Sequence, residues 1–272
     1  MLHRSIPSPV SNSIKLGPVE VRYYAVFILL GIVLTIIVGS VRYKKAEGDV
    51  SELYDAAIFV VPAGVIGGRL YHVVTTPELY FGSRGHILDA FKIWQGGMGI
   101  WGALLFGVAA AYTYFKIKPR SISFSLFADA LAPGILLAQS VGRWGNWFNK
   151  ELFGSPTTLP WAVRIPLSYR PKEFTNFTTF HPTFLYESIW CALAAIAIFY
   201  IPAVKRLRPG STFILYIALY CAGRLWIEAL RIDRSHLILG LRLNIWVALL
   251  CLLTSSAVIV VRQSVSLRNL KI

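Results

Sequence analysis

The stretch YYAVFILLGIVLTIIVGSV, residues 23–41, is an uninterrupted apolar run without a charged side chain. A helix that crosses a bilayer needs about 20 consecutive apolar residues, so this run is long enough to span. No small-residue cleavage site of the AxA type follows it, which indicates a permanent helix rather than a removable signal peptide. The run therefore predicts a membrane fold.

The composition of the whole chain agrees with a membrane fold. Of its 272 residues, 56% are hydrophobic and only 15% are charged, whereas soluble domains have about 25% charged residues. We predict an all-α integral membrane protein with seven transmembrane helices, forming a single polytopic domain over residues 1–272. The predicted helices cover residues 23–41, 56–76, 93–115, 121–142, 184–204, 211–230 and 243–261.

The distribution of lysine and arginine predicts the orientation of these helices. Short basic segments usually stay in the cytoplasm, so we expect the amino terminus outside and the carboxyl terminus inside. Residues 1–22 then form an outer segment, residues 155–180 an outer loop or arm, and residues 262–272 a cytoplasmic tail. The arm has two open interpretations, a lid over a site and a passive interfacial loop. The basic residues used are Arg42, Lys44, Lys45, Lys116, Lys118, Arg120, Lys205, Arg206, Arg208, Arg262, Arg268 and Lys271.

The formal net charge of +14 could suggest a nucleic-acid partner. The basic residues are scattered through loops instead of lining one face, so we predict membrane lipid as the partner and no nucleic acid. Cys191, Cys221 and Cys251 lie in apolar stretches without a metal-ligand spacing. We interpret them as buried thiols, and we predict neither a metal nor a cofactor.

Three arginines lie inside apolar stretches, each directly after a glycine: Arg69, Arg143 and Arg224. An arginine in hydrocarbon is costly and usually faces a protein interior or a wet cavity. With the predicted orientation, Arg69 and Arg224 lie about 20 Å from the cytoplasmic ends of their helices, and Arg143 lies at the outer end of its helix. The first turns of the inward-running helices reach the same depth. They carry Tyr24, the glycine-rich residues 96–102, His181, Tyr186 and Glu187.

The densest polar stretch is GRWGNWFNKELFG, residues 142–154. If its start is helical, Gln139, Arg143 and Asn146 share one face, and Asn149, Glu151 and Gly154 lie in the turn beyond. On the sixth helix, Tyr220, Arg224, Glu228 and Arg231 also share one face. Each set has a structural alternative: a polar cluster that ties off a helix end, and a buried Arg224–Glu228 ion pair.

Two or three arginines suit a phosphate group, because the planar guanidinium donates to phosphate oxygens as a bidentate fork. In an apolar site at headgroup depth, the available phosphate belongs to a phospholipid. The residues alone therefore predict a phospholipid site.

The chain resembles the bacterial prolipoprotein diacylglyceryl transferases over most of its length. The resemblance implies transfer of the diacylglyceryl group from phosphatidylglycerol to the lipobox cysteine thiol of a prolipoprotein, at the outer face of the bacterial plasma (inner) membrane. The product is a thioether, and glycerol phosphate leaves. The matching motifs are GPVEVRYYA (17–25), GGRLYHV (67–73), GGMGIWG (96–102), residues 129–154, HPTFLYE (181–187) and GRLWIE (223–228).

The resemblance also implies roles for individual residues. Arg143 corresponds to the arginine that binds phosphatidylglycerol, and Arg224 to the essential arginine of the sixth helix. We count His181 among the supporting residues, with Arg69 and Trp101 as further possible members of the site. The other matching positions are Tyr24, Asn146, Glu151, Gly154, Tyr220 and Glu228.

One position departs from the family pattern. Many members resemble GGMSFHG where this chain has GGMGIWG, so Trp101 replaces a histidine proposed as the general base. Other base candidates are Glu151, Glu228, His72 and His181, and a mechanism without a dedicated base is also open.

Two other classes of protein were considered. A transporter should carry polar residues along a full pore, and an enzyme that moves headgroups should show metal-ligating carboxylates or a nucleophile with its base. Asp129 is the only charged residue clearly in the inner half of a predicted span, and no Asp/His cluster has a metal-ligand spacing. The function implied by the resemblance is therefore preferred over both.

Overall fold

The computed structural model describes residues 5–17, 19–81, 85–93, 96–117, 119–201, 204 and 207–269. Within these residues the chain forms seven helices, all long and apolar enough to cross a membrane. The predicted seven-helix membrane fold is therefore confirmed. The helices are α1 (Tyr23–Lys45), α2 (Val50–Thr75), α3 (Ile100–Ile117), α4 (Phe124–Asn149), α5 (Thr183–Tyr200), α6 (Ser211–Leu230) and α7 (Leu243–Asn269).

The described residues also contain three short antiparallel strand pairs outside the helices. The first precedes α1, the second belongs to the arm between α4 and α5, and the third links α6 to α7. Lys118, Lys205, Arg206 and Lys271, four of the residues that carried the orientation argument, lie outside the described residues. The direction of the chain through the membrane stays a prediction. The strands are β1 (Ser13–Leu16), β2 (Val19–Arg22), β3 (Val163–Arg164), β4 (Thr179–Phe180), β5 (Leu237–Ile238) and β6 (Leu241–Arg242).

Predicted ends of four helices were wrong by six to eight residues. Helix α2 begins at Val50 instead of residue 56, and α7 continues to Asn269 instead of ending at residue 261. The other two errors are in α3 and α4. Helix α3 begins at Ile100 instead of residue 93, because Gly96 and Gly97 have positive φ angles of 92° and 75°, which a right-handed helix does not contain. Helix α4 continues to Asn149 instead of ending at residue 142. Its last turns are held by aromatic packing, including Trp147 stacked on Phe184 with ring centroids 6.0 Å apart. Arg143 therefore lies within α4 and not at its end.

The helices form two compact units, Met1–Val41 with Ala128–Ile272, and Arg42–Phe127. The single membrane domain over residues 1–272 remains a prediction. In the first unit α1 packs closely on α4, because a Cβ added to Gly31 would lie 3.1 Å from Cβ of Ala138. Thr35 Oγ1 also donates to the carbonyl of Gly134 at 3.2 Å. The core of this unit contains Leu136, Cys191, Ala194, Ala195 and Ile198.

In the second unit the backbones of α2 and α3 touch at Gly67 and Gly102. A Cβ added to either residue would overlap the carbonyl oxygen of the other. Small residues permit such an approach between membrane helices, which associate through close packing instead of the hydrophobic effect. This contact explains why glycines are concentrated in residues 64–68 and 96–102.

Asp129 fixes the beginning of α6. Its carboxylate accepts hydrogen bonds from the backbone N–H groups of Gly210 at 2.6 Å and Phe213 at 2.7 Å. An anion at this end satisfies unpaired donors and complements the helix dipole. This capping role explains why a charged residue lies inside a predicted span. It also fixes the start of the helix that carries Arg224.

The arm is a small sheet completed by the amino-terminal segment. Ile6 pairs with β3 through hydrogen bonds from its N–H to the carbonyl of Ala162 at 2.8 Å and from the N–H of Arg164 to its carbonyl at 2.9 Å. Trp147 of α4 donates its indole N–H to the carbonyl of Pro7 at 3.2 Å. The arm is therefore bound to α4. Val163, Ile165 and Phe180 of the arm form a buried cluster with Phe153 and with Phe184 of α5.

Candidate functional site

The carboxylate of Glu187, in the first turns of α5, joins two of the intramembrane arginines. Its Oε1 lies 2.8 Å from Nη2 of Arg143 on α4, and its Oε2 lies 3.3 Å from Nη1 of Arg224 on α6. The side chain of Glu187 is only 6% exposed. A charge buried to this extent normally requires a partner, and Glu187 has one on each side.

Short polar contacts hold the three helices in this arrangement. Ser140 Oγ on α4 donates to the carbonyl of Ser188 on α5 at 2.8 Å, and the indole N–H of Trp144 donates to Ser188 Oγ at 3.2 Å. On the other side of α5, Trp190 donates to the carbonyl of Leu219 on α6 at 2.7 Å. Because these contacts lie within a turn of Glu187, they fix the position of its carboxylate between the two arginines.

The end of α4 positions a second carboxylate. Asn146 and Asn149 each donate an amide N–H to Oε1 of Glu151 at 2.9 Å, and Asn146 accepts a long hydrogen bond of 3.4 Å from Arg143. Lys150 and Leu152, on either side of Glu151, have positive φ angles of 56° and 58°. Non-glycine residues rarely adopt this conformation, and it often occurs at functional sites. The turn therefore brings Glu151 back toward the face that carries Arg143.

Beyond Arg224 lies a second cluster of charges around Glu228, which has no exposed surface. Its Oε2 lies 2.7 Å from Arg224 and 3.2 Å from Arg231. Its Oε1 accepts from Arg242 at 2.7 Å and from Asn244 at 3.1 Å. The sequence had predicted the Arg224–Glu228 contact as an alternative, and the structure contains it. Four donors occupy this carboxylate, so it holds the arginines in place and is poorly suited to accept a proton.

Asp233 completes this second cluster. It lies 2.7 Å from Nε of Arg231 and 2.9 Å from Nη2 of Arg242. Burial acts to raise the pKa of Asp233, but hydrogen bonds and charges from these two arginines outweigh burial and lower the pKa below its ordinary value. Asp233 is therefore ionised at neutral pH and joins the α6–α7 connection to the end of α6.

Two tyrosines also lie at the site, Tyr220 beside Glu187 and Tyr24 beside the end of α4. The hydroxyl of Tyr220 donates to Oε1 of Glu187 at 3.3 Å. The ring of Tyr24 covers Gly145, where an added Cβ would lie 2.5 Å from Cδ2 of the tyrosine and 3.1 Å from its Cα. Gly145 is thus needed for α1 to approach α4, one residue before Asn146.

Gly154 and His181 connect the turn after α4 to α5 and α6. The N–H of Gly154 donates to the carbonyl of His181 at 2.9 Å, and an added Cβ would lie 3.0 Å from the carbonyl oxygen of Leu230. His181 Nδ1 lies 3.0 Å from the hydroxyl of Tyr186, which accepts from the indole of Trp161 at 3.1 Å. Burial lowers the pKa of His181. The role of Gly154 is close packing, and His181 is a neutral hydrogen-bonding residue at pH 7.

Arg69 and Trp101 belong to the second compact unit. Arg69 donates to four backbone carbonyls, those of Ala90, Gly96, Gly97 and Asp89. These bonds support a bracing role, one of the two roles that the sequence left open for Arg69. Trp101 is 52% exposed. His72 of the same unit is also engaged, since its Nδ1 lies 2.9 Å from the hydroxyl of Tyr80.

Sequence reasoning missed several members of the site. It grouped Glu187 with the residues expected at the depth of the arginines but did not select it as a site residue. The available signal was a lone carboxylate at the start of an apolar helix. Arg242, Asp233 and Asn244 were missed because the loop after α6 contains several polar residues and no spacing distinguishes the ones that fold back. Among the described residues, no group of three or more His, Cys, Asp or Glu side chains is arranged to hold a metal ion.

The chain was also compared with known proteins. A family model described as prolipoprotein diacylglyceryl transferase matches residues 11–261. Three relatives carry the name phosphatidylglycerol–prolipoprotein diacylglyceryl transferase. The Frankia alni protein is 48% identical over 97% of this chain and 70% of its own length, and the Streptomyces griseus protein is 46% identical over 96% and 78%. The Cutibacterium acnes protein is 46% identical over 95% and 87%.

Proposed function

Since this chain belongs to the prolipoprotein diacylglyceryl transferase family, we propose that Arg143 and Arg224, paired through Glu187, bind the phosphate of phosphatidylglycerol. The enzyme transfers the diacylglyceryl group of phosphatidylglycerol to a prolipoprotein. The nucleophile is the thiol of the lipobox cysteine, and the leaving group is glycerol phosphate.

The observation that carries this proposal is the convergence of the two guanidiniums on one carboxylate. Within the described residues, Nε of Arg143 and Nε of Arg224 make no hydrogen bond to the protein. Each guanidinium therefore retains donors for an incoming anion. A phosphate oxygen is a suitable acceptor, because arginine binds phosphate with charge-assisted and often bidentate hydrogen bonds.

The charge of the network also fits one phosphodiester. The continuous ion-pair network contains four arginines and three carboxylates, which leaves an excess of one positive charge. A phosphodiester such as phosphatidylglycerol carries one negative charge, so its binding neutralises the network. The members are Arg143, Arg224, Arg231, Arg242, Glu187, Glu228 and Asp233.

The same arginines assist the chemical step. Sulfur attacks the glyceryl carbon that carries the phosphate, and the C–O bond breaks with its electron pair moving to the phosphate oxygen. Negative charge grows on the phosphate as this bond breaks, and preorganised guanidiniums stabilise that charge without reorganisation. A nearby positive charge also lowers the pKa of a thiol and favours the reactive thiolate.

Single substitutions Arg143→Gln and Arg224→Gln test this proposal. Each variant is assayed for mass gain of a lipobox peptide with phosphatidylglycerol, and for binding of phosphatidylglycerol in detergent. Loss of one such donor typically lowers turnover about 100- to 1,000-fold, and we expect weaker lipid binding as well. Arg234→Gln, at an exposed arginine after α6, is the matched control. Unchanged lipid binding in both test variants contradicts the proposed phosphate site.

A further inference from the structure

The carboxylate that joins the two arginines has a second use. We propose that Glu187 accepts the proton of the attacking thiol, an inference that rests on the phosphate site proposed above. Trp101 stands where the family pattern has a histidine, and its indole cannot take up a proton at neutral pH. We therefore assign this role to a carboxylate of the site.

Position favours Glu187 over the other carboxylates of the site. It contacts Arg143, Arg224 and Tyr220 at 2.8, 3.3 and 3.3 Å. A phosphate that reaches both guanidiniums must therefore lie next to this carboxylate. The thiol attacks the carbon bonded to that phosphate, so Glu187 lies closer to the proposed reaction than a carboxylate that contacts only one of the two arginines or neither.

The alternatives are less suitable on geometric grounds. Glu228 is completely buried, and three arginines and an amide occupy its two oxygens. Glu151 is exposed, and its described contacts are to the amides of Asn146 and Asn149. Glu187 alone among these three contacts both arginines of the proposed phosphate site.

The arrival of substrate frees the carboxylate of Glu187 for this role. In the described structure Arg143 pairs with Glu187 at 2.8 Å, and Arg224 is shared between Glu187 at 3.3 Å and Glu228 at 2.7 Å. A bound phosphate competes for the same guanidiniums, so hydrogen bonds from the arginines to Glu187 are partly given up. The carboxylate oxygens are then free to accept a hydrogen bond from the incoming thiol. Lipid binding and activation of the base are thus coupled through the same two arginines.

The step balances in atoms and charge. The S–H bond breaks, its electron pair stays on sulfur and forms the S–C bond, and the proton moves to a carboxylate oxygen of Glu187. The C–O bond breaks, and its electron pair remains on the phosphate, which becomes a monoester with a second negative charge. The second ionisation of a phosphate monoester has a pKa of about 6, so the departing phosphate can take the proton from Glu187 and restore the carboxylate.

Isosteric replacement separates proton transfer from binding. Glu187→Gln keeps an oxygen acceptor for the arginines but cannot take the proton. We expect peptide lipidation to fall about 100- to 10,000-fold, the usual contribution of a general base. Phosphatidylglycerol binding should be retained or strengthened, because the competing negative charge is removed. Glu173→Gln, at an exposed carboxylate of the arm, is the matched control and should leave both measurements unchanged.

Rescue with small anions separates a base from a simple counter-ion. Glu187→Ala opens space at a nearly enclosed position, and formate or nitrate is added to the assay. Both are small planar anions, but only formate is an effective proton acceptor at neutral pH. We expect formate to restore part of the turnover and nitrate to restore none.

Three results overturn the proposal: wild-type turnover in Glu187→Gln, loss of phosphatidylglycerol binding in that variant, or equal rescue of Glu187→Ala by nitrate and formate. The last two would identify Glu187 as a structural counter-ion. The proposed phosphate site is tested by a different result. If that proposal is wrong, lipid binding will be unchanged in the Arg143→Gln and Arg224→Gln variants.

Discussion

Replacing Arg242 by methionine removes one of the residues that join the α6–α7 connection to the end of α6. Its guanidinium contacts Glu228 at 2.7 Å and Asp233 at 2.9 Å, and it also donates to the backbone carbonyls of Asp233 and Arg231. Removing one partner of a buried ion pair costs about 3–5 kcal/mol. Because Glu228 keeps Arg224 and Arg231, we expect the lower end, about 3 kcal/mol.

This loss can be measured as thermal unfolding of the purified protein in detergent. For a chain of this size, 1 kcal/mol corresponds to roughly 2–4 °C in Tm, so Arg242→Met should lower the Tm by about 6–12 °C. Arg242→Lys keeps the charge but loses the forked contacts, and we expect a smaller loss of about 1–2 kcal/mol. Arg234→Met, on the same connection but exposed, should change the Tm by less than about 2 °C.

The contacts of Arg242 indicate a supporting role and no contact with the lipid. Phosphatidylglycerol binding by the methionine variant, measured below its Tm, should therefore fall much less than binding by Arg143→Gln. Equal Tm values for Arg242→Met and Arg234→Met would refute the idea that the cluster around Glu228 stabilises the end of α6.

Three further predictions concern other parts of the structure. Gly154→Ala places a Cβ 3.0 Å from the carbonyl oxygen of Leu230, so we expect a loss of about 1–3 kcal/mol and reduced lipidation; a normal Tm would contradict this. The pKa of Asp233 is lowered in the folded protein, so its ionised form contributes to stability. This contribution is fully present above the unfolded pKa of about 3.9, and it is lost as the pH falls through the lower folded pKa. Asp233→Asn should make the stability of the protein less dependent on pH in acid unfolding. An unchanged acid transition would contradict the role of Asp233 in this dependence. Arg69→Met should lower the Tm but leave phosphatidylglycerol affinity unchanged, because its donors bind backbone carbonyls; weaker lipid binding at full stability would show the reverse.

The fold was largely predictable from the sequence, because hydrophobic length alone identifies a spanning helix. The boundaries of α6 were predicted correctly at residues 211 and 230. The errors at the end of α4 and the start of α3 have identifiable causes in the structure. Trp147 packing extends α4 past two glycines, and the left-handed conformations of Gly96 and Gly97 delay the start of α3.

The site was predictable to the extent that its members lie on regular helices. The i, i+4 spacing placed Arg224 beside Glu228, and a distance of 2.7 Å confirms that contact. Glu187 could not be ranked from spacing, because its partners come from two other helices. Arg242 reaches Glu228 only through the turn between α6 and α7. A sequence does not encode that reversal in a periodic pattern, so contacts of this type require coordinates.

The pairing of Ile6 with the arm has a consequence for how the protein is made. Ser8 donates its hydroxyl proton to the carbonyl of Arg164, which lies 156 residues further along the chain. At a ribosomal speed of about 5–20 residues per second, residue 164 is synthesised roughly 8–30 s after residue 8. Residues 6–8 cannot pair with the arm during that interval. The sheet of the arm is therefore completed late in biogenesis. A bulky fusion placed directly before Ile6 should slow the folding of the arm more than it lowers the turnover of the folded enzyme.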